Sequence, residues 1–422
     1  MIIQFTIGNF LSFKEKHTIS FRAKAADNTL PDSTFTTNKE KLLRTIAIYG
    51  ANASGKSNLI KAFGFVRQFV LTGLVQSVSS SQIAVEPFLL NTLTESQPSY
   101  FELEIMNGKK TFVYGFEVSS QRVLKEWLYE YPNKKVLFER TPERIKTNPK
   151  HFKEGSAYTI KETRDNVLYL SVVASRNGLI SQEVVDCIKK IQVVIGLQRG
   201  QTLNYSFEKY TKDESYRNQM KDFLLEADFG ISDIMTEEKQ VTADEFMKTV
   251  PPQFKDTLSP SPSPKNFFDR KIGMIHDKYN DRGEGAGQVI FNFFKESDGT
   301  QQMFALSAPF INSLQEANLL VIDELDSSLH PILCQYILKI FNSSKKNNKN
   351  AQLLFTTHDV SLLDEELLRR DQVLFTQKNK FGSSELFSLA DLGERANLNF
   401  AKRYLEGRYG ALPYVKLLEN ME

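Results

Sequence analysis

"GANASGKSN", residues 50–58, follows the apolar run "LLRTIAIY" and precedes "LIKAFGFVRQFV". Gly50, Gly55, Lys56 and Ser57 satisfy G-x-x-x-x-G-K-[ST], the pattern of a loop that wraps phosphate. Glycines let successive backbone N–H groups converge on an anion, and the helix opening behind them adds the positive end of its dipole. The loop residues Gly50, Asn52, Ala53, Ser54, Gly55, Lys56, Ser57 and Asn58 are therefore expected to line a nucleotide site. Lys56 would reach the β- and γ-phosphates, and the Ser57 hydroxyl would bind Mg²⁺. A chance glycine-rich turn would not sit between a strand-like and a helix-like run.

Composition narrows what such a loop serves. The 422 residues, 41% hydrophobic and 25% charged, suit two or three globular domains. Fifty-three basic against 51 acidic side chains leave a formal charge of +2, which argues against wholesale electrostatic DNA binding. Two cysteines, Cys187 and Cys334, lie far apart, so no disulfide framework is expected. "MIIQFTIGNFLSF" alternates like a strand and lacks the basic start of a signal peptide. No run of 18 apolar residues exists, so a cytoplasmic protein without a membrane partner is expected.

Residues 1–25 suggest a hairpin and "TIAIYG" a buried strand before the loop. Residues 75–97 read as a loop. Asn107-Gly108 marks a hairpin turn within an antiparallel meander that runs to residue 140. From there to about 270, "LISQEVVDCIKKIQVVIGL" and "YRNQMKDFLLEADFGI" read as helical, and "VPPQFKDTLSPSPSP" as an exposed linker. Strands return at "KIGMIHDKY" and "GQVIFNFF". A helix follows from Thr300, which Pro309 should kink or shorten. "ANLLVIDE", "NAQLLFTTH" and "DQVLFTQ" alternate with helices, the mark of a buried parallel sheet. The expected division is 1–140, 141–270 and 271–422, the middle segment being a compact helical insert suited to partner or DNA contact.

Three further motifs carry chemistry. In "NLLVIDELD", Asp323 and Glu324 follow an apolar strand, at the edge where α/β sheets bind ligands. Asp323 would hold Mg²⁺ through its shell and Glu324 would polarise an attacking water. "LLFTTHD" sets His358 at the end of another such strand, placed to hydrogen-bond the γ-phosphate or that water. "ESDGTQQ", residues 296–302, joins Ser297, Gly299 and a helix start into a second anion-binding end. Taken alone it could be a simple turn capping a helix.

The order of these motifs resembles the ABC-ATPase plan: phosphate loop, signature serine-glycine, acidic strand, switch histidine. "ESDGTQQMFAL" departs from the L-S-G-G-Q signature. "IGNFLSFKE", "ANASGKSNLIKA", "ESDGTQQ", "IDELDSSLHP" and "YLEGRYGALP" resemble the OLD-like ABC ATPases, and more narrowly the AbiL/RloA type of bacterial phage-defence loci. The resemblance implies an α/β, RecF/SMC-like P-loop ATPase head with an antiparallel β subdomain and a helical insert, using ATP and Mg²⁺. It implies an ATP-sandwich homodimer in which Lys56 of one copy faces Ser297 of another, with Ser327 and Ser328 along the seam. Gln82 is the nearest candidate for a glutamine-loop residue.

Four functions remain open at this stage. The favoured one is an ATP-hydrolysing switch controlling a separate effector, a nuclease or toxin. The 64 residues after His358 are too short for a Toprim nuclease of the OLD kind. A RecF-like repair ATPase that binds DNA is the main alternative. A transporter ATPase and a slow ATP-binding scaffold are the others.

Overall fold

β1 (Ile2–Gly8), buried along nearly its whole length, pairs with β2 (His17–Ser20) in the expected antiparallel hairpin, with Phe5 opposite Ile19. The computed structural model describes residues 1–73, 82–156, 160–196, 199–227, 230–242, 267–393 and 398–411. These form two compact units, residues 1–198 with 312–422, and residues 199–311.

In the first unit, β3 (Thr34–Thr37) and β4 (Glu40–Leu43) make a small ribbon before β5 (Thr45–Gly50) and α1 (Lys56–Thr72). The meander follows as β6 (Ser99–Asn107), β7 (Lys110–Val118), β8 (Val123–Tyr131), β9 (Lys135–Arg140) and β10 (Ile145–Thr147). Its order is β10-β9-β8-β7-β6-β1-β2. The Asn107-Gly108 turn is as expected, with Gly108 at φ 57° between paired Asn107 and Lys110. The described part of residues 75–97 has only one short 3₁₀ turn, Thr94–Ser96.

Helices α2 (Tyr169–Ser175) and α3 (Leu179–Lys189) come next. The helical reading of "LISQEVVDCIKKIQVVIGL" is half right, because α3 stops at Lys189. Ile191–Val194 is a strand, β11, lying parallel to β15 (Leu319–Ile322) with Ile191 opposite Leu319. Isolated residues of this composition are compatible with either state; the open edge of β15 decides it.

The second sheet runs β11-β15-β16-β5-β17-β18, where β16 (Gln352–Thr356) and β17 (Val373–Lys378) are parallel to β5 and β18 (Ser384–Ser388) is antiparallel at the edge. Every residue of β5, β15 and β16 is buried, which is why these strands read as unbroken apolar runs. Helix α1 is apolar on more than one face because it lies between the two sheets. Phe63 packs 4.2 Å from Phe5, Phe65 4.9 Å from Phe101 and Phe69 5.6 Å from Phe116, centroid to centroid, while the helix also touches β5, β11 and β15. The α/β fold class with an antiparallel β subdomain is thus present.

The second unit holds α4 (Arg199–Lys212), α5 (Glu214–Leu225), and a three-stranded antiparallel sheet of β12 (Asp233–Val241), β13 (Phe267–Tyr279) and β14 (Gly285–Asn292). Asp213 caps α5 by accepting from Ser215 N (3.0 Å) and Tyr216 N (3.2 Å). Helix α6 (Asp298–Glu316) begins in this unit and continues through Pro309 instead of ending there. Proline has no N–H to offer the carbonyl four residues back. That carbonyl, Ala305 O, accepts from Ser206 Oγ at 2.6 Å instead. The run "VPPQFKDTLSPSPSP" lies outside the described residues. Among the described residues of the first unit, α7 (Pro331–Asn342) and α8 (Phe400–Leu405) complete the α-helices.

Candidate functional site

The parallel strands β5, β15, β16 and β17 deliver their C-terminal ends to one edge of the first unit, where Gly50, Ile322, Thr356 and Lys378 close them. An open cleft of about 450 Å³ lies there, lined by residues 52–58 with Glu324, His358 and Lys378. Gly55 sits at φ 116°, and a Cβ on it would overlap Ser384 Oγ. Only glycine satisfies both the backbone angle and the close approach.

Lys56 is 5% exposed and donates from Nζ to Gly50 O (2.7 Å) and Ala51 O (3.0 Å). Burial pushes its pKa down to about 8, against the upward pull of Asp323, Glu324 and Asp326. It is mostly a cation at neutral pH, held by neutral carbonyls and ready for a stronger anionic partner.

Ser57 Oγ donates to Asp323 Oδ1 at 3.1 Å. Thr356 binds both acidic residues: its hydroxyl donates to Asp323 Oδ1 (2.8 Å) and accepts from Glu324 N (2.7 Å). Glu324 takes φ 54°, rare for a residue with a side chain, and its carboxylate is exposed at the cleft. His358 N donates to Asp326 Oδ2 at 3.1 Å, tying the two loops together. Burial, then the Lys56 charge, lower the imidazole pKa below 6.5, so His358 is neutral at pH 7.

Mg²⁺ fits this pair of oxygens. An octahedral ion with ligands at about 2.1 Å keeps adjacent ligand oxygens about 3 Å apart, and Ser57 Oγ and Asp323 Oδ1 stand 3.1 Å apart. Among the described residues no group of three or more His, Cys, Asp or Glu could hold a metal. Phosphate oxygens and water would have to complete the shell.

The cleft therefore gathers Asn52, Ala53, Ser54, Gly55, Lys56, Ser57, Asn58, Glu324 and His358, with Gly50 and Asp323 just behind. Gln82 is exposed and is not among the lining residues. Ser297 and Gly299 belong to the second unit. There Ser297 Oγ accepts from Thr300 N (3.2 Å) and lies 2.8 Å from Thr300 Oγ1, capping α6. Sequence reasoning missed Thr356 and Lys378. "FTTH" holds a hydroxyl two residues before the histidine, a signal that could have found the first; a lone lysine ending an apolar run offers none for the second.

Comparison with known proteins places this geometry in a class. The chain matches the family described as "AAA domain, putative AbiEii toxin, Type IV TA system" over residues 46–184 and 203–364. It belongs to that family, and so to the AAA-type P-loop ATPases. No curated protein matches it. Similar solved structures include the SMC head bound to the C-winged helix domain of ScpA (13% identity, TM-score 0.41). Another is the recombination mediator RecF with ATP (15% identity, TM-score 0.35). Each alignment covers 92% of this chain and 97% of the other. No helix of the described residues is long and apolar enough to cross a membrane.

Proposed function

We propose that the chain is an ATP-binding and ATP-hydrolysing switch subunit of a bacterial antiviral defence system, of the OLD-like AbiL/RloA type. It works as an ATP-sandwich homodimer that controls a separate effector, a nuclease or toxin. The observation that carries the ATPase reading is the 3.1 Å approach of Ser57 Oγ to Asp323 Oδ1 beneath a cleft that Lys56, Glu324 and His358 line. The toxin–antitoxin wording of the family description supports the defence setting.

Bound Mg²⁺ would supply charge neutralisation of the phosphates, held by Ser57 and Asp323. The chain's own groups do the rest. Lys56 exchanges two carbonyl acceptors for phosphate oxygens. Glu324, with its backbone fixed by Thr356, orients a water and accepts its proton. Neutral His358 can donate a hydrogen bond to the transferring phosphate.

Glu324→Gln tests this directly. The amide keeps shape but loses the basic carboxylate, so turnover should fall by about 10²-fold or more while ATP affinity is kept. Light scattering on that variant with Mg²⁺ and ATP should show a stable dimer. Wild-type turnover in Glu324→Gln would remove Glu324 from the reaction.

A further inference from the structure

The phosphate loop has a back as well as a cleft side. Ser384 Oγ lies 2.6 Å from Ser54 O and 2.8 Å from Ser12 Oγ, and Asn58 Nδ2 donates to Ser12 Oγ at 2.8 Å. A serine hydroxyl has one hydrogen, and Ser54 O can only accept. Asn58 donates to Ser12 Oγ, and the single Ser384 hydrogen is directed at both Ser12 Oγ and Ser54 O, the shorter contact being the one to Ser54 O. Backbone reinforces it, since Ser384 N donates to Ser12 O at 2.7 Å. Four segments meet here: the loop following β1, the phosphate loop, the first turn of α1 and the start of β18.

The consequence is directional. In a trans peptide the C=O and the following N–H point opposite ways. Drawing Ser54 O onto Ser384 behind the loop turns the Gly55 N–H away from Ser384, towards the cleft that Gly55 lines. The side chain of the same residue is pinned separately, Ser54 Oγ lying 2.6 Å from Thr376 Oγ1. Gly55 completes the arrangement, because any Cβ there would displace the Ser384 hydroxyl.

We propose that Ser12 and Ser384 are positioning residues that act through one hydroxyl relay to aim the Gly55 N–H at a nucleotide phosphate. Neither touches the nucleotide. This inference rests on the phosphate-binding reading of the cleft. Asn58 enters as the head of the relay, its amide engaged on Ser12.

The test uses the full chain with Mg²⁺ and ATP, comparing wild type, Ser12→Ala, Ser384→Ala and the double variant by calorimetry and steady-state turnover. Each single variant should bind ATP about five- to tenfold more weakly, the scale of one net hydrogen bond. The double should bind no more weakly than the worse single, because both residues act on Ser54 O through the one Ser384 hydroxyl. KM should rise while kcat stays within about threefold, a split that a merely structural role would not produce, and Ser12→Ala should leave the melting temperature unchanged. Ser12→Thr, which keeps a hydroxyl, should restore affinity. If Ser384→Ala lowers the melting temperature, Ser12→Ala and Ser12→Thr alone decide, reading the same relay from another segment. Unchanged ATP affinity in the single variants, or losses that multiply in the double, would overturn the relay while leaving the phosphate site standing. Failure of the wild-type chain to bind ATP would overturn the phosphate reading and the relay with it.

Discussion

Lys56 sits 5% exposed with two backbone carbonyls for company, and its pKa is pushed down to about 8. Phosphate favours the protonated lysine, so above pH 8 ATP binding must take up a proton. Affinity should be flat below about 8 and fall towards tenfold per pH unit above it, as calorimetry between pH 7 and 9.5 would show. A flat profile throughout would place the lysine elsewhere in the binding step. The stability sign is opposite to that of a paired lysine. The folded value lies below the unfolded one, so between about 8 and 10.5 the unfolded chain holds more protons and the native state gains stability as pH rises. At neutral pH the buried charge is a burden of up to about 3 kcal/mol, reduced by its two hydrogen bonds. Lys56→Met should therefore raise the melting temperature of the nucleotide-free protein while abolishing ATP binding. A lowered melting temperature would mean that the carbonyl contacts outweigh desolvation. At this scale the sequence was most informative. Lys56, Ser57, Asp323, Glu324 and His358 each follow a strand or belong to a local pattern, so their neighbours reveal them. Thr356 leaves only the hydroxyl of "FTTH" as a local trace, while Lys378 acquires its place only when β17 flanks β5, and no local window contains that.

Among the elements, α6 shows how one serine offsets a proline. Pro309 leaves Ala305 O without its helical donor, and Ser206 Oγ on α4 supplies one at 2.6 Å. Ser206 is fully buried. Ser206→Ala should cost about 1–3 kcal/mol, the range for a buried acceptor left without a partner. Urea denaturation would detect it as a lower midpoint, and hydrogen exchange as weaker protection along α6. Equal midpoints would mean that α6 holds without this bond. The helix runs past Pro309 to Glu316 without the early stop, and the group that compensates the lost donor comes from about a hundred residues earlier. The strand β11 was hidden for the same reason. "IKKIQVVIGL" places apolar residues where either a helix or a strand could use them, and only the parallel register with β15, 128 residues on from Ile191 to Leu319, selects the strand. The Asn107-Gly108 turn was legible because its determinants are adjacent residues.

For the whole molecule, the proposed sandwich makes a claim that mixing can test. Ser297→Arg puts bulk and charge where a partner's γ-phosphate would arrive, leaving its own phosphate loop intact. As a homodimer it should bind ATP without hydrolysing it. Mixed with Lys56→Ala, it should regain at most one composite site per pair, so turnover recovers in part. Full hydrolysis by the Ser297→Arg homodimer would separate the signature from the site. A different consequence follows from the strand order. β5 ends at Gly50, but the strands on either side of it, β16 and β17, begin at Gln352 and Val373. At about 5–20 residues per second, the ribosome leaves this strand, fully buried in the finished fold, without either neighbour for about 15–60 s. During that interval β5 is an unpaired edge of the kind that aggregates. Translation pauses and chaperone supply should therefore govern the yield of soluble protein more strongly than the stability of the finished fold.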